Sequence, residues 1–356
     1  MISFDEVPYT DQLKKVILYL LIILTILMSG TIAKADWDQD GVSLQTIDKG
    51  TVNGGLYIGG GHGRVYTTTY TQNFTVPDGT PQWARLYVSA KDTSSINMTF
   101  NGHYPGNYTD LINNTRVYSN YQKEKGMYWV YYDNVAQWIV NGTNTATADL
   151  GTRVGYNTKS WGILLIVAYE GGDSPELIEY QVNEGNPLLH GNHSPFTAYH
   201  NTTNTSFGSV DPVGVIGAEL TTVYIWGSEE SEGEVHDTLW FNSELIATDA
   251  SDGAGTDEDG NKWRGGCFDL KQWNISQNLD QDNVLEFDRG MDSILCPVVS
   301  VLVVKHYPKA TASNQTSAPE ETPGFGIVLT LAVIMIITLV IVNHRSDTFV
   351  SKQFKQ

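Results

Sequence analysis

The chain predicts an all-β protein built as two tandem β-sandwich domains of jelly-roll type, flanked by an apolar segment near each end. Three observations lead there. Ala84–Ala90, Leu177–Val182 and Asn283–Asp288 alternate apolar and polar side chains, as half-buried strands do. Trp161–Tyr169 and Pro297–Val304 are unbroken apolar runs too short for helices, the pattern of strands covered on both faces. Between the two ends no segment keeps a helical apolar period for three turns, whereas Gly, Tyr, Thr and Trp are plentiful.

Taken in order, Val16–Met28 is an apolar run behind Lys14 and Lys15, with the length of a signal-peptide core. Ala33-Lys34-Ala35 places small residues where a signal peptidase cuts, so residues 1–35 are expected to be removed. Residues 36–182 form the first expected domain and 183–308 the second, with the boundary near Asn183 to Pro187. Four features recur in both. Ala84-Arg85-Leu86-Tyr87-Val88 matches Thr221-Thr222-Val223-Tyr224-Ile225, and Phe100-Asn101-Gly102 matches Phe241-Asn242-Ser243. Val135-Ala136-Gln137-Trp138 matches Leu270-Lys271-Gln272-Trp273, expected as a turn that plugs each sandwich, and each half closes on its long apolar strand.

Residues 309–322, rich in Ala, Thr, Ser, Pro and Glu, form a stalk that cannot build a core. The segment 323–345 opens with Pro323-Gly324-Phe325 and continues as the uncharged run Ile327–Val342, about long enough to cross a bilayer. Arg345, Lys352 and Lys355 against Asp347 keep the remaining tail, 346–356, in the cytoplasm. The domains are therefore expected outside the cell, anchored to the plasma membrane.

Charge narrows the partners. Between Asp36 and Thr322 stand 15 Lys and Arg against 36 Asp and Glu. That surface repels phosphate backbones, which excludes nucleic acid as a partner. Asn-x-Ser/Thr sequons begin at Asn73, Asn97, Asn107, Asn113, Asn141, Asn192, Asn201, Asn204, Asn274 and Asn314, an excess that points to a glycoprotein. In Ile96–Phe100 the sequon alternates with apolar residues, so a glycan on Asn97 would leave the outward face of a strand. The two cysteines, Cys267 and Cys296, are expected to form a disulfide in an oxidising location, worth about 3–4 kcal/mol in the chain-entropy picture.

Chemistry-bearing motifs are sparse. Asp36-Trp37-Asp38-Gln39-Asp40-Gly41 matches only the first half of a calcium loop, because Ile47 stands where the closing glutamate belongs. Asp249, Asp252, Asp257, Glu258 and Asp259 cluster in a Gly-rich stretch, a solvated loop or a clamp for Ca2+. His190, His193 and His200 have metal-site spacing without a strong element to fix them. Gly59–Gly63 lacks the Gly-Lys-Ser/Thr of a phosphate loop. Tyr104, Tyr108, Tyr118 and Tyr121 offer rings on which sugars stack. Neither Gly-x-Ser-x-Gly nor His-Glu-x-x-His occurs, and the expectation is a protein without enzymatic activity.

The end of the chain, Pro323-Gly324-Phe325 with its apolar run, basic residue and preceding stalk, resembles the sorting signal of archaeal surface proteins. In those proteins an archaeosortase removes the segment and attaches a lipid. Asp36–His306 resembles a methanogen cell-surface domain family of unassigned function, on Trp37–Val42, Thr51–Tyr57, Pro77-Asp78-Gly79 and Trp83–Val88. The resemblance implies a location in the archaeal envelope and no activity. The expected function is thus a membrane-anchored envelope glycoprotein of the cell coat or of adhesion, with envelope proteins or glycans as partners. A carbohydrate-binding module and an extracellular hydrolase are the alternatives; the hydrolase needs carboxylates brought together by the fold.

Overall fold

The structure, a computed structural model, describes residues 41–307 except 62, 112, 121–126, 192–199, 212, 228–235 and 253–267. The expected signal segment, stalk, sorting signal at Pro323-Gly324-Phe325, apolar run and tail lie outside the described residues, as do Asn192, Asn314, Cys267, Asp257 and Asp259. Among the described residues no helix is long and apolar enough to cross a membrane.

In its described residues the chain is all-β, with several antiparallel sheets and one 3-10 turn, Ala136–Trp138. Its first half contains β1 (Gly41–Gly60), β2 (Val65–Tyr66), β3 (Thr69–Val76), β4 (Thr80–Lys91), β5 (Ile96–Phe100), β6 (His103–Tyr108), β7 (Val117–Asn120), β8 (Met127–Tyr132), β9 (Gly142–Leu150) and β10 (Lys159–Glu170). The second contains β11 (Glu176–Pro187), β12 (Leu189–His190), β13 (Thr202–Phe207), β14 (Val215–Tyr224), β15 (Thr238–Phe241), β16 (Glu244–Thr248), β17 (Asp269–Asn274), β18 (Asn283–Asp288), β19 (Ile294–Leu295) and β20 (Pro297–His306).

One long sheet runs through both halves in the order β17-β14-β20-β11-β1-β10-β4-β8-β7, with β2 on β10. Outward from the antiparallel β1–β11 pair the order reads alike in both directions: β10-β4-β8 on one side, β20-β14-β17 on the other. Each half adds a four-stranded sheet, β3-β9-β5-β6 or β13-β18-β15-β16, again in matching order. The line near Asn183 expected to divide two domains falls inside β11, and the described residues all belong to one compact unit.

The strand pattern follows from burial. In β10, Ile163, Leu165 and Val167 enter the core under the first four-stranded sheet, while Leu164, Ile166 and Ala168 enter a middle core on the opposite face. Both faces are covered, so the run carries no polar alternation. Each such fully buried Ile, Leu or Val side chain contributes about 1.5–3 kcal/mol. Val299, Val301 and Val303 on β20 face the same middle core, and Leu302 and Val304 face the core of the second half. The half-buried strands also form where alternation placed them: inward Ile96, Met98 and Phe100 on β5, and inward Leu285 and Phe287 on β18.

The internal repeat holds at two markers and slips at two. Asn101-Gly102 and Asn242-Ser243 both turn a hairpin with positive φ at both residues, 49° and 79° in the first, 52° and 67° in the second. Asn101 Nδ2 donates to Asn144 Oδ1 (2.7 Å) and to the Trp138 carbonyl (2.8 Å), and Asn101 Oδ1 accepts from Thr145 N (2.8 Å). Asn242 repeats this with Asn283 Oδ1 (2.8 Å), the Asn278 carbonyl (2.8 Å) and Val284 N (2.8 Å). Buried Asn144 and Asn283 then tie down Val140 and Asp280, each accepting from the N–H and donating to the carbonyl.

These bonds correct the expected plug. The counterpart of Val135–Trp138 is Ile275–Asn278, where Asn278 N donates to the Ile275 carbonyl as Trp138 N does to Val135. Leu270–Trp273 instead lies in β17, paired to β14. A shared Gln-Trp pair suggested a match five residues too early, since tryptophan packs equally well in a strand or a turn. The tyrosine marker slips as well: Tyr87 faces the middle core, whereas Tyr224 turns into the second-half core, 5.8 Å from Phe287 between ring centres. Alternation along β14 is unbroken, with Ala218, Leu220 and Tyr224 toward the second-half core and Val223 and Ile225 toward the middle core, so the tyrosine match is one residue out of step.

Candidate functional site

Arg85, on β4, is held by partners from β11 and from the end of β8. Its Nη1 lies 2.6 Å from Glu184 Oε1 on β11, and its Nε lies 2.8 Å from Asp133 Oδ1, just beyond β8. The guanidinium also lies over the Tyr131 ring, 4.2 Å from its centre. Tyr118 on β7 donates its hydroxyl to Glu184 Oε1 at 2.8 Å, and the Tyr87 hydroxyl lies against the same carboxylate. Alternation explains the grouping: Trp83, Arg85 and Tyr87 share one face of β4, and Tyr180, Val182 and Glu184 one face of β11.

Burial grades the site from inside to outside. Glu184 is fully buried and Arg85 nearly so, while the Asp133 side chain keeps 29% of its exposure. Burial raises the Glu184 carboxyl above the usual glutamate range, against the opposing pull of Arg85 and the tyrosine hydroxyls. Burial works against the charge of Arg85 as well, but Glu184 and Asp133 more than offset it and keep the guanidinium protonated. Asp48 on β1 accepts from the Tyr180 hydroxyl at 2.9 Å; burial raises its carboxyl, and that hydrogen bond and Arg85 lower it in part.

Two cavities open beside this cluster. One, of about 320 Å3, is lined by Gln82, Trp83, Ala84, Asp133, Asn134 and Ala136. The other, of about 420 Å3, is lined by Thr46, Ile47, Asp48, Lys49, Gln181 and Gly208. The Trp83 ring of the first lies 6.4 Å from that of Tyr180, the partner of Asp48 in the second. A half-exposed indole, carboxylates and side-chain amides together offer an apolar platform beside hydrogen-bond acceptors.

Apart from Tyr118, none of these residues stood out in the sequence as a candidate for chemistry. Arg85, Asp133 and Glu184 lie 48 and 51 positions apart, on β4, just after β8 and on β11, and a single charged residue on an apolar strand was the only local sign. Of the expected loop tyrosines, the three that are described do not assemble. Tyr104 is 71% exposed, Tyr108 is buried and stacked on Tyr132, and Tyr118 points to Glu184; Tyr121 lies outside the described residues.

The other expected sites are placed as follows. Asn73, Asn107, Asn113, Asn141, Asn201, Asn204 and Asn274 are exposed and Asn97 is half-buried. Asn73, Asn97 and Asn107 share the outer face of the first four-stranded sheet. Cys296 is buried in the middle core, with Asn120 Nδ2 at 3.7 Å from its Sγ; Cys267, its expected disulfide partner, lies outside the described residues. Around Asp249 and Asp252 a lysine holds the position of a cation: Lys271 Nζ lies 3.5 Å from Asp252 Oδ2 and 3.3 Å from the Asp249 carbonyl. His190 and His200 pair through their backbones, and each Nδ1 lies within 3.1 Å of a carbonyl oxygen. No group of three His, Cys, Asp or Glu among the described residues is arranged to hold a metal ion.

Known structures of similar arrangement come from several kinds of protein. PNGase F, a glycosylasparaginase from Flavobacterium meningosepticum, is 12% identical, with 73% of this chain and 96% of that one covered and a TM-score of 0.26. The tandem CBM51 modules of Sp3GH98, a family 98 glycoside hydrolase from Streptococcus pneumoniae, are 8% identical over 65% and 80%, at 0.20. The major capsid protein P2 of bacteriophage PM2 is 12% identical over 72% and 99%, at 0.23. A search of curated proteins finds no match. The expectation of a protein without enzymatic activity is therefore withdrawn. Enzymes stand among these neighbours, so missing sequence motifs exclude no chemistry, while likeness this distant assigns none to the chain. Over residues 38–305 the sequence matches one family model, and the chain belongs to that family, described as protein of unknown function (DUF3344).

Proposed function

We propose that this protein is an exported glycoprotein of an archaeal envelope that binds carbohydrate at the Trp83–Asp133 cavity. One observation carries the reading: half-exposed Trp83 shares a cavity with Asp133, Asn134 and Gln82, and Arg85 holds the Asp133 carboxylate from behind. The ring supplies an apolar platform, the carboxylate and amides meet hydroxyls, and the Arg85 clamp fixes the acceptor before the sugar arrives. Glu184 touches no ligand in this scheme; it positions Arg85. Glycan-array binding by the purified protein should fall at least about tenfold in Trp83→Ala and in Asp133→Asn, each checked for fold by circular dichroism. Unchanged binding in both folded variants would rule the site out.

The two halves are read as jelly rolls derived by duplication, and the domains as held at the outer membrane surface by the segment after Thr322. Support comes from the uncharged run Ile327–Val342, the basic tail and the Thr/Ser-rich stalk. In this reading Pro323-Gly324-Phe325 marks a cleavage site at which lipid replaces the span, as in the archaeal surface proteins whose sorting signal it resembles. Deleting Pro323–Gln356 should release the protein into the medium; retention on the cells would place the anchor elsewhere.

Hydrolysis of the bound glycan is the second reading. Burial raises the Asp48 carboxyl, the charge of Arg85 reaches it, and Arg85 also holds Asp133; glycoside cleavage uses two carboxyl groups. Release of reducing ends from a bound oligosaccharide, lost in Asp48→Asn, would establish it; binding without any product would leave a binding module.

A further inference from the structure

We propose a second carbohydrate site, on the outer face of the second half, centred on Trp240 and selective for uncharged sugars. A cavity of about 520 Å3 is lined there by Trp240, Asn242, Ser243, Asp280, Asp282, Val284 and Glu286. Leu239 and Phe241 are buried in the core of the second half, so Trp240 faces outward, and its indole N–H donates to Thr238 Oγ1 at 2.9 Å. That bond restrains the ring where it would stack. Glu286 pairs directly with Trp240 across the sheet, and Val284 is 43% exposed.

The repeat itself singles this patch out. Counting from the shared asparagine bonds, Trp240 corresponds to Thr99, Val284 to Thr145, Glu286 to Thr147 and Asp280 to Val140. In the first half this face is a hydroxyl surface: Thr71 and Thr147 hydrogen-bond at 3.0 Å, and Thr145 donates to the sequon residue Asn73 at 2.8 Å. The fold therefore needs neither the indole nor the carboxylates at these points. In the second half the same scaffold carries an apolar platform ringed by acceptors.

Chemistry narrows the ligand. The lining residues offer carboxylate and amide acceptors and no lysine or arginine. A hexose presents an apolar C–H face to an indole and hydroxyl donors at its rim, which suits that set. Uronic or sulfated sugars bring anions against three carboxylates and are repelled. The Trp83 site lies in the other half, so each site is tested by its own variants.

Calorimetric titration of the full chain in detergent with mannohexaose, cellohexaose and hexagalacturonate tests the proposal. At least one neutral hexasaccharide should bind, at least about tenfold more weakly in Trp240→Ala and more weakly in Glu286→Gln, with hexagalacturonate failing to bind at this site. Trp83→Ala should leave the Trp240-dependent component in place. Neutral binding that is untouched by both Trp240→Ala and Glu286→Gln, tight hexagalacturonate binding lost in Trp240→Ala, or no neutral binding at all would each overturn it. Loss in Trp83→Ala alone would sink this site and keep the first.

Discussion

On β4 of the first half, Arg85 draws Asp133 and Glu184 together under a ring of tyrosines. On β14, the corresponding strand of the second half, the sequence Val215–Tyr224 contains no arginine, and its inward residues meet valines and phenylalanines instead. Yet both halves keep the same sheet orders, the same Asn-led hairpin and the same buried asparagine behind it. The scaffold thus depends on backbone-directed amides and apolar faces, and charge is free to differ between copies. Residues that differ at equivalent points are where binding or catalysis is to be sought, and residues that repeat are where stability lies.

Breaking the unpaired feature should have the largest effect. Glu184→Gln leaves Arg85 buried with Asp133 alone, and the loss of one partner from a buried pair costs about 3–5 kcal/mol. Denaturant unfolding should show that loss; a change below about 1 kcal/mol would mean that Arg85 relaxes to water and that the cluster is not clamped.

The repeated feature gives the next test. Asn144→Ala and Asn283→Ala each strand a backbone N–H and carbonyl, at Val140 and Asp280, along with one bond of Asn101 or Asn242. Each should cost about 2–3 kcal/mol, and by similar amounts. A large cost in one half and none in the other would break the equivalence of the two locks.

A smaller difference sharpens it. Gly102 and Ser243 hold the same turn position with φ of 79° and 67°, a region that disfavours every residue with a Cβ. Ser243→Gly should gain about 1 kcal/mol and Gly102→Ala should lose about as much, read as opposite shifts in melting temperature. Shifts of the same sign would show that one of these turns is held by other contacts.

Much of the fold was legible because strands announce their burial. β5 and β18 alternate, β10 and β20 do not, and each sits where that pattern requires. Phe100-Asn101-Gly102 and Phe241-Asn242-Ser243 were legible because positive φ restricts residue choice. Gln137-Trp138 and Gln272-Trp273 misled because neither residue specifies a backbone conformation. The Arg85 cluster was invisible because its members meet only when β7, β8 and β11 are packed against β4. Trp240 reads, in sequence, as one more core aromatic between Leu239 and Phe241; only the pleat turns it outward.

The antiparallel ladder of β1 with β11 carries a consequence for how such a chain arose. Its register runs from Gly41 opposite Pro187 to Gly54 opposite Glu176, and an antiparallel ladder between like strands has a local two-fold axis. A single sandwich with a bare first strand would join a second copy of itself along that edge, as a symmetric homodimer. Fusion of the two genes would make the partner permanent, relieve each copy of having to match itself, and allow one to keep its threonines while the other acquired a tryptophan. A half produced alone would regain the old edge, and with it the old tendency to pair.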